Sequence, residues 1–349
     1  MNKHRNNKEV KVRTILIASA VIIFFAVAGV AAIFYGFNPN NAFVKKTAEV
    51  LHLPAASIGT RFVTVAELDR DLESVKKFYE SQDFSKVGMR VDFSTSDGQK
   101  RLKIKERRLL NKLIENRIIE RLAAERGIVI TERMAEDNVD RELERYGNGE
   151  GVRENLARLY GWDMDDFVEK IVKPDIYREE LEKNMKETDE EYVKAEKKIR
   201  QVQDELKNKV DFAEVAKKYS EGESAGSGGE LGWFSADQVA PQIAVIAFLM
   251  KKGEQSDIIE TPYGFHIIQV DDMKTEDGVE KIKVKQILVR TKNFPDWLLE
   301  KQKSMQIRVF MKDYAWNSES SEVEFKNEEM RNFEADLDNN SADDASVIF

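Results

Sequence analysis

Residues 211–273 read DFAEVAKKYSEGESAGSGGELGWFSADQVAPQIAVIAFLMKKGEQSDIIETPYGFHIIQVDDM, and this stretch decides the fold. Asp211-Phe212-Ala213-Glu214 opens a short helix that ends at Tyr219-Ser220. Gly228, Gly229 and Gly232 permit backbone angles closed to other residues, so they suit an irregular loop running into a strand that presents Leu231 and Phe234. Pro241 starts a helix whose Ile243, Ile246 and Phe248 can cover that strand. Thr261-Pro262-Tyr263-Gly264 is a turn, and Phe265 to Val270 is a short apolar strand bearing one histidine, His266. Together these elements make a shallow apolar cleft with few polar groups.

The spaced positions resemble those of a parvulin-type (PpiC-like) peptidyl-prolyl isomerase domain. The resemblance rests on Asp211 to Glu214, Tyr219-Ser220, the run Gly228-Gly229-Glu230-Leu231-Gly232-Trp233-Phe234, Pro241, Ala247-Phe248, Lys252-Gly253-Glu254 and Tyr263 to Ile268. It implies an α+β domain with a four-stranded antiparallel sheet and an apolar cleft that takes a proline ring. Rotation about an X–Pro bond breaks amide resonance, and the barrier of about 18–20 kcal/mol falls when the pocket stabilises the twisted amide more than the planar one. Such chemistry needs no nucleophile, metal or cofactor. Carried over by position, the resemblance puts Leu231, Phe234, Val239, Ile243 and Phe248 in the substrate wall, His266 on the histidine of the last strand and Thr261 on the neighbouring hydroxyl.

Two departures bear on activity. Gln286 stands where the family has the first histidine of a pair, and Gly222 stands approximately where it has Cys or Asp. A third bears on topology: parvulins begin with an apolar strand, but Met185 to Glu191 contains none. A matching strand follows the domain instead, because Ile282-Lys283-Val284-Lys285-Gln286-Ile287-Leu288-Val289-Arg290 alternates as a half-buried strand does. A hairpin turning at Glu276-Asp277-Gly278 would lay residues 282–290 antiparallel to the last strand, with Gln286 roughly across the ladder from His266. The alternatives are a circularly permuted parvulin domain and a truncated second repeat beginning at Lys281.

Upstream, Thr64-Val65-Ala66-Glu67 is a capping box, followed by an apolar stripe at Val65, Leu68, Leu72, Val75 and Tyr79. The period is lost from Phe84 to Gly98, and a long amphipathic helix is expected from Gln99 to Arg126, stopped by Gly127. Shorter helices follow, with a kink or break at Pro174. The order of these helices, with RGIVITE and YGWDMDDF as links, resembles the N-terminal chaperone region of the SurA/PrsA/PpiD extracytoplasmic foldases over roughly residues 55–185.

Thr14 to Phe37 carries no charge and is long enough to span a bilayer. Five Lys/Arg precede it within residues 1–13, so the positive-inside bias puts the N-terminus in the cytoplasm of a bacterial cell and the bulk of the chain outside. Ala26-Val27-Ala28 also fits a signal-peptide cleavage site, but the apolar run continues beyond it through Phe34. At the other end, residues 293–316 read as a helix opening at Asn293, with Met305, Val309, Phe310 and Tyr314 on its apolar positions. Residues 317–349 hold ten acidic and two basic residues and read as a disordered tail.

The whole chain has 349 residues, 34% of them charged, and a net charge of −9. With no cysteine, disulfides and thiolate chemistry are excluded, and three histidines leave almost no material for a metal centre or a Ser-His-Asp triad. The acidic body is a poor partner for nucleic acid. The expected plan is a basic tip (1–13), a transmembrane helix (14–37), a linker and first strand (38–62), a helical SurA-N-like domain (63–188), a parvulin-like domain (189–292), a helix (293–316) and a tail (317–349). The resemblance implies a membrane-anchored peptidyl-prolyl isomerase and chaperone acting on unfolded, proline-containing clients. The alternatives are a holdase with a degenerate parvulin domain and a non-catalytic tethered scaffold.

Overall fold

The computed structural model describes residues 42–81, 92–146 and 149–339, with isolated positions between 28 and 35. The stretch Thr14 to Phe37 lies almost wholly outside the described residues. Among the described residues, no helix is long and apolar enough to cross a membrane. The chain divides into two units, one of residues 1–178 with 302–349, the other of residues 179–301.

The first unit opens with a helix, Ala42–Val50, and a hairpin of β1 (Pro54–Ile58) and β2 (Arg61–Thr64). Thr64 Oγ1 then accepts the Glu67 amide at 3.1 Å, the cap that the sequence predicts, and the helix Val65–Ser81 buries Val65, Leu68, Leu72, Phe78 and Tyr79. The long helix is Ser96–Glu125, three residues earlier at its start than Gln99, because Thr95 Oγ1 accepts the Gly98 amide at 3.0 Å. Its Leu110, Ile114, Ile118 and Leu122 are buried. Pro174 breaks nothing. The turn Val168–Val172 just before it is π-helical and runs directly into Lys173–Thr188. Proline has no N–H to donate and its ring crowds the preceding turn, and the wider turn absorbs both effects.

In the second unit, Asp189 caps the helix Glu190–Lys207 by accepting the Glu191 and Tyr192 amides at 3.1 and 3.2 Å. The helix Phe212–Tyr219 follows, then β3 (Glu230–Phe234), the helix Pro241–Ala247, β4 (Ile259–Thr261), β5 (Gly264–Glu276) and β6 (Val279–Arg290). These strands form one antiparallel sheet in the order β3-β6-β5-β4. β5 and β6 turn at Asp277 and Gly278, both at positive φ, as a tight two-residue hairpin requires. On one face, Ile268, Val270, Ile282 and Val284 join Ile243, Ala247, Met250 and Ile259 in a buried cluster. Alternation sends Phe265, Ile267, Ile287 and Val289 to the other face, where the helices Glu190–Lys207 and Phe212–Tyr219 pack and Tyr192 meets Phe265 edge-on.

The C-terminal segment corrects two expectations. The helix is only Phe294–Lys303. Residues Ile307–Val309 form β7, which pairs with β1 in the first unit, so Met305, Val309, Phe310 and Tyr314 do not share a helical face. Residues 317–339 are ordered rather than a solvating tail: β8 (Tyr314–Asn317) and β9 (Glu322–Phe325) form a hairpin, and the helix Glu328–Asn339 follows. Tyr314, Val323 and Phe325 are buried. The acidic residues find partners on the long helix. Arg107 pairs with Glu334 at 2.7 Å and donates to the Val323 carbonyl at 2.8 Å, Arg108 pairs with Asp338 at 2.6 Å, and Lys100 with Glu329 at 2.5 Å. Residues 340–349 of the expected tail lie outside the described residues.

Candidate active site

The site is built where β4, β5 and β6 lie side by side. Thr261 and His266 stand on β4 and β5 on either side of a two-residue turn, and Gln286 stands on β6. On β5, His266 is directly opposite Leu288, and Gln286 is opposite Ile268, so the His266 and Gln286 side chains meet diagonally on one face. Thr261 Oγ1 lies 2.7 Å from His266 Nε2, and His266 Nδ1 lies 3.0 Å from Gln286 Oε1. The three residues predicted from the sequence are thus brought together in one hydrogen-bonded chain. Thr261 Oγ1 also accepts the Tyr263 amide at 3.1 Å, which fixes the hydroxyl at the turn.

The chain of polar groups runs beneath apolar surroundings. His266 is 4% exposed and Thr261 5%. Burial lowers the His266 pKa below its ordinary value, and the Gln286 hydrogen bond offsets this only in part, so the imidazole is neutral at pH 7.

Of the five residues expected to line a substrate wall, Phe234, Val239 and Phe248 are half-buried and pack against the sheet's apolar cluster. Leu231 lies at a bulge in β3 between Glu230 and Gly232 and is 37% exposed. Ile243 is buried in the cluster, whereas Ile246 and Leu249 of the same region are exposed.

β6 joins the two halves of the sheet. Besides β5, it pairs with β3 through Phe234 opposite Ile282 and Gly232 opposite Val284. Past that point, the loop after the helix Phe212–Tyr219 takes over: Gln286 N donates to the Gly229 carbonyl at 2.8 Å, Glu221 N to the Leu288 carbonyl at 2.7 Å, and Leu288 N to Ser220 Oγ at 3.1 Å. Gly229 makes this close approach possible, since a Cβ there would lie 2.5 Å from the Gln286 carbonyl. The same loop places Gly222 against the site, where a Cβ would sit 3.7 Å from Gln286 Nε2 and 3.6 Å from Leu288 Cβ. Ser220 and Glu221 escape a reading of local sequence, because their partners on β6 are almost 70 residues away.

Residues 180–272 match the family model described as a PPIC-type PPIase domain. That match lies within the second unit and includes Thr261 and His266. The chain is similar to the foldase protein PrsA of Geobacillus kaustophilus, 31% identical over 170 residues that make up 43% of this chain and 60% of that protein. Foldase protein PrsA 1 of Bacillus cereus is 30% identical over 52% of the chain and 64% of its own length. The chaperone SurA of Methylobacillus flagellatus is 33% identical over 35% of the chain and 29% of its own length. The chain therefore spans less than two thirds of these relatives. The match to the PPIC-type domain ends before β6, the strand that brings Gln286 to His266.

Proposed function

We propose that the chain is a peptidyl-prolyl cis-trans isomerase and chaperone that assists the folding of secreted or envelope proteins. The observation that carries this reading is the Thr261–His266–Gln286 chain, buried at its Thr261 and His266 end, on the sheet face that carries the apolar cluster, with Thr261 and His266 inside the PPIC-type match and Gln286 supplied by the strand after it. Relatives named foldase and chaperone support the client class. In this reading Leu231, Phe234, Val239 and Phe248 receive the proline ring, Ile243 backs them, and the polar chain orients the peptide while the amide twists. An apolar setting favours the twisted amide, which has lost its resonance dipole, over the planar one.

The apolar run from Thr14 to Phe37, with its basic flank, supports a single-pass anchor with the bulk of the chain outside the cytoplasm. The order in which β6 fills the sheet supports a permuted parvulin domain over a truncated second repeat, because β6 pairs on both sides within a single sheet. Gln286 and Gly222, in place of the polar residues the family usually has there, favour a second reading in which the domain holds X–Pro segments without turning them over.

The test is isomerisation of a peptide with one X–Pro bond by the full chain, against His266→Ala. The expected loss is about tenfold or more, equivalent to about 1.4 kcal/mol, the scale of one hydrogen bond. A wild-type rate no faster than the uncatalysed reaction would remove the isomerase reading and leave the holdase one.

A further inference from the structure

The polar chain has a buried end and an open end. His266 and Thr261 are almost completely covered, whereas Gln286 and the neighbouring Gly222 are partly exposed. A peptide entering the cleft therefore meets Gln286 first. What it meets there depends on which end of the amide faces outward, and that is set by the proton on His266.

Two proton arrangements are conceivable for a neutral imidazole. In one, the Thr261 hydroxyl donates to Nε2 and Nδ1–H donates to Gln286 Oε1. In the other, Nε2–H donates to Thr261 and the Gln286 amide is turned so that it donates to Nδ1. The orientation of the Gln286 amide favours the first. Gln286 turns Oε1, which can only accept, toward Nδ1 at 3.0 Å, so Nδ1 carries the proton of the neutral imidazole and the bare Nε2 accepts from Thr261 Oγ1 at 2.7 Å. With Oε1 engaged, the Gln286 Nε2 lies beside Gly222, and none of its hydrogen bonds is found among the described residues. Gly222 leaves space beside it, since even an added Cβ would make only ordinary contacts there.

We propose that the Gln286 amide is the hydrogen-bond donor that touches the substrate, and that His266 is a positioning residue which holds that amide donor-outward. The substrate group it receives is a backbone carbonyl of an X–Pro segment, admitted by the space beside Gly222. This assignment rests on the reading of the cleft as a proline-peptide site. It differs from that reading in placing the buried histidine one step behind the contact and the glutamine at it.

The experiment uses the full chain labelled with 15N, with the His266 ring nitrogens identified by their loss in His266→Ala. The expected spectrum shows Nδ1 protonated and Nε2 bare. Protonated Nε2 would overturn the proposal, since Gln286 would then present its oxygen. Titration with a tetrapeptide containing one X–Pro bond should shift the Gln286 side-chain NH2 pair, and a bound peptide that leaves that pair unmoved also overturns it. Gln286→Glu keeps an acceptor for Nδ1–H but removes the outward donor. It should preserve the His266 tautomer and raise KM by roughly three- to tenfold, the range of one neutral hydrogen bond. Gln286→Leu removes both functions and should lose the tautomer preference as well. A chain that binds the peptide through Gln286 yet catalyses nothing would defeat the isomerase reading and leave this assignment standing.

Discussion

Two polar assemblies in this molecule are built in opposite ways. The cleft of the second unit holds three neutral groups, Thr261, His266 and Gln286, in series on the face that carries the buried apolar cluster. The clasp of the first unit holds charged pairs, Arg107–Glu334, Arg108–Asp338 and Lys100–Glu329, between the long helix and the helix Glu328–Asn339, which has no buried residue of its own. In the cleft, the sheet's hydrophobic packing sets the geometry and the hydrogen bonds select a rotamer and a proton position. In the clasp, the charges themselves hold the last helix in place, aided by the buried Val323 and Phe325 that precede it. The first arrangement should be indifferent to salt and sensitive to packing, and the second the reverse.

The largest effect should come from packing beneath the cleft. Ile268 is 1% exposed and shares its strand and face with His266, so Ile268→Ala should cost about 2–5 kcal/mol in unfolding free energy. The loss should be nearly the same in 50 mM and 500 mM salt, on the order of a threefold change in Debye length. A cost that shrinks with salt would mean that the sheet is held by charges after all.

Arg107→Ala should have the next largest effect. Its guanidinium serves Glu334 and the Val323 carbonyl at once in a mostly buried position, so its removal should cost about 1.5–3 kcal/mol. It should also make the C-terminal helix an early site of proteolysis. Unlike the loss at Ile268, part of this one should already be present in wild type at high salt. If Arg107→Ala leaves the C-terminal helix as protected as before, the pairs contribute little and the hairpin alone anchors the segment.

The two assemblies also differ in how much the sequence reveals of them. Leu231, Phe234, Thr261 and His266 fall within a continuous stretch whose glycines and apolar alternation mark loop, strand and turn, and Gln286 follows after a hairpin that Asp277-Gly278 announces. The diagonal placement of Gln286 and the burial of Ile243 depend on register and on what covers the strand, and neither is encoded in local periodicity. The clasp is illegible in the sequence for a physical reason. Val323 and Phe325 alternate within a short acidic strand, and the cations that neutralise the acidic helix after it, Lys100, Arg107 and Arg108, lie more than two hundred residues upstream. A segment of one charge reads as disordered until the complementary surface is known. Pro174 is ambiguous in a related way, because its effect depends on whether the preceding turn can widen.

The smallest predicted effect separates the assemblies by pH. His266 is neutral when folded because burial disfavours its charged form, so its folded pKa lies below the value of about 6.5 that applies in the unfolded chain. Between those two values the unfolded chain binds the extra proton, and stability must therefore fall as pH falls below about 6.5. Glu329 behaves differently: its hydrogen bond and charge interaction with Lys100 hold its folded pKa below 4.5. The clasp's contribution from this group is complete above about 4.5 and is lost only as pH falls through the lowered folded value. Acid should thus weaken the cleft first and the clasp second. Denaturant melts from pH 7.5 down to 4 should show a decline beginning near 6.5 that His266→Gln abolishes, with a separate decline below 4.5 that Glu329→Gln reduces. An unchanged upper decline in His266→Gln would assign it to some other group and would remove the neutral, buried imidazole on which the cleft's proton arrangement depends.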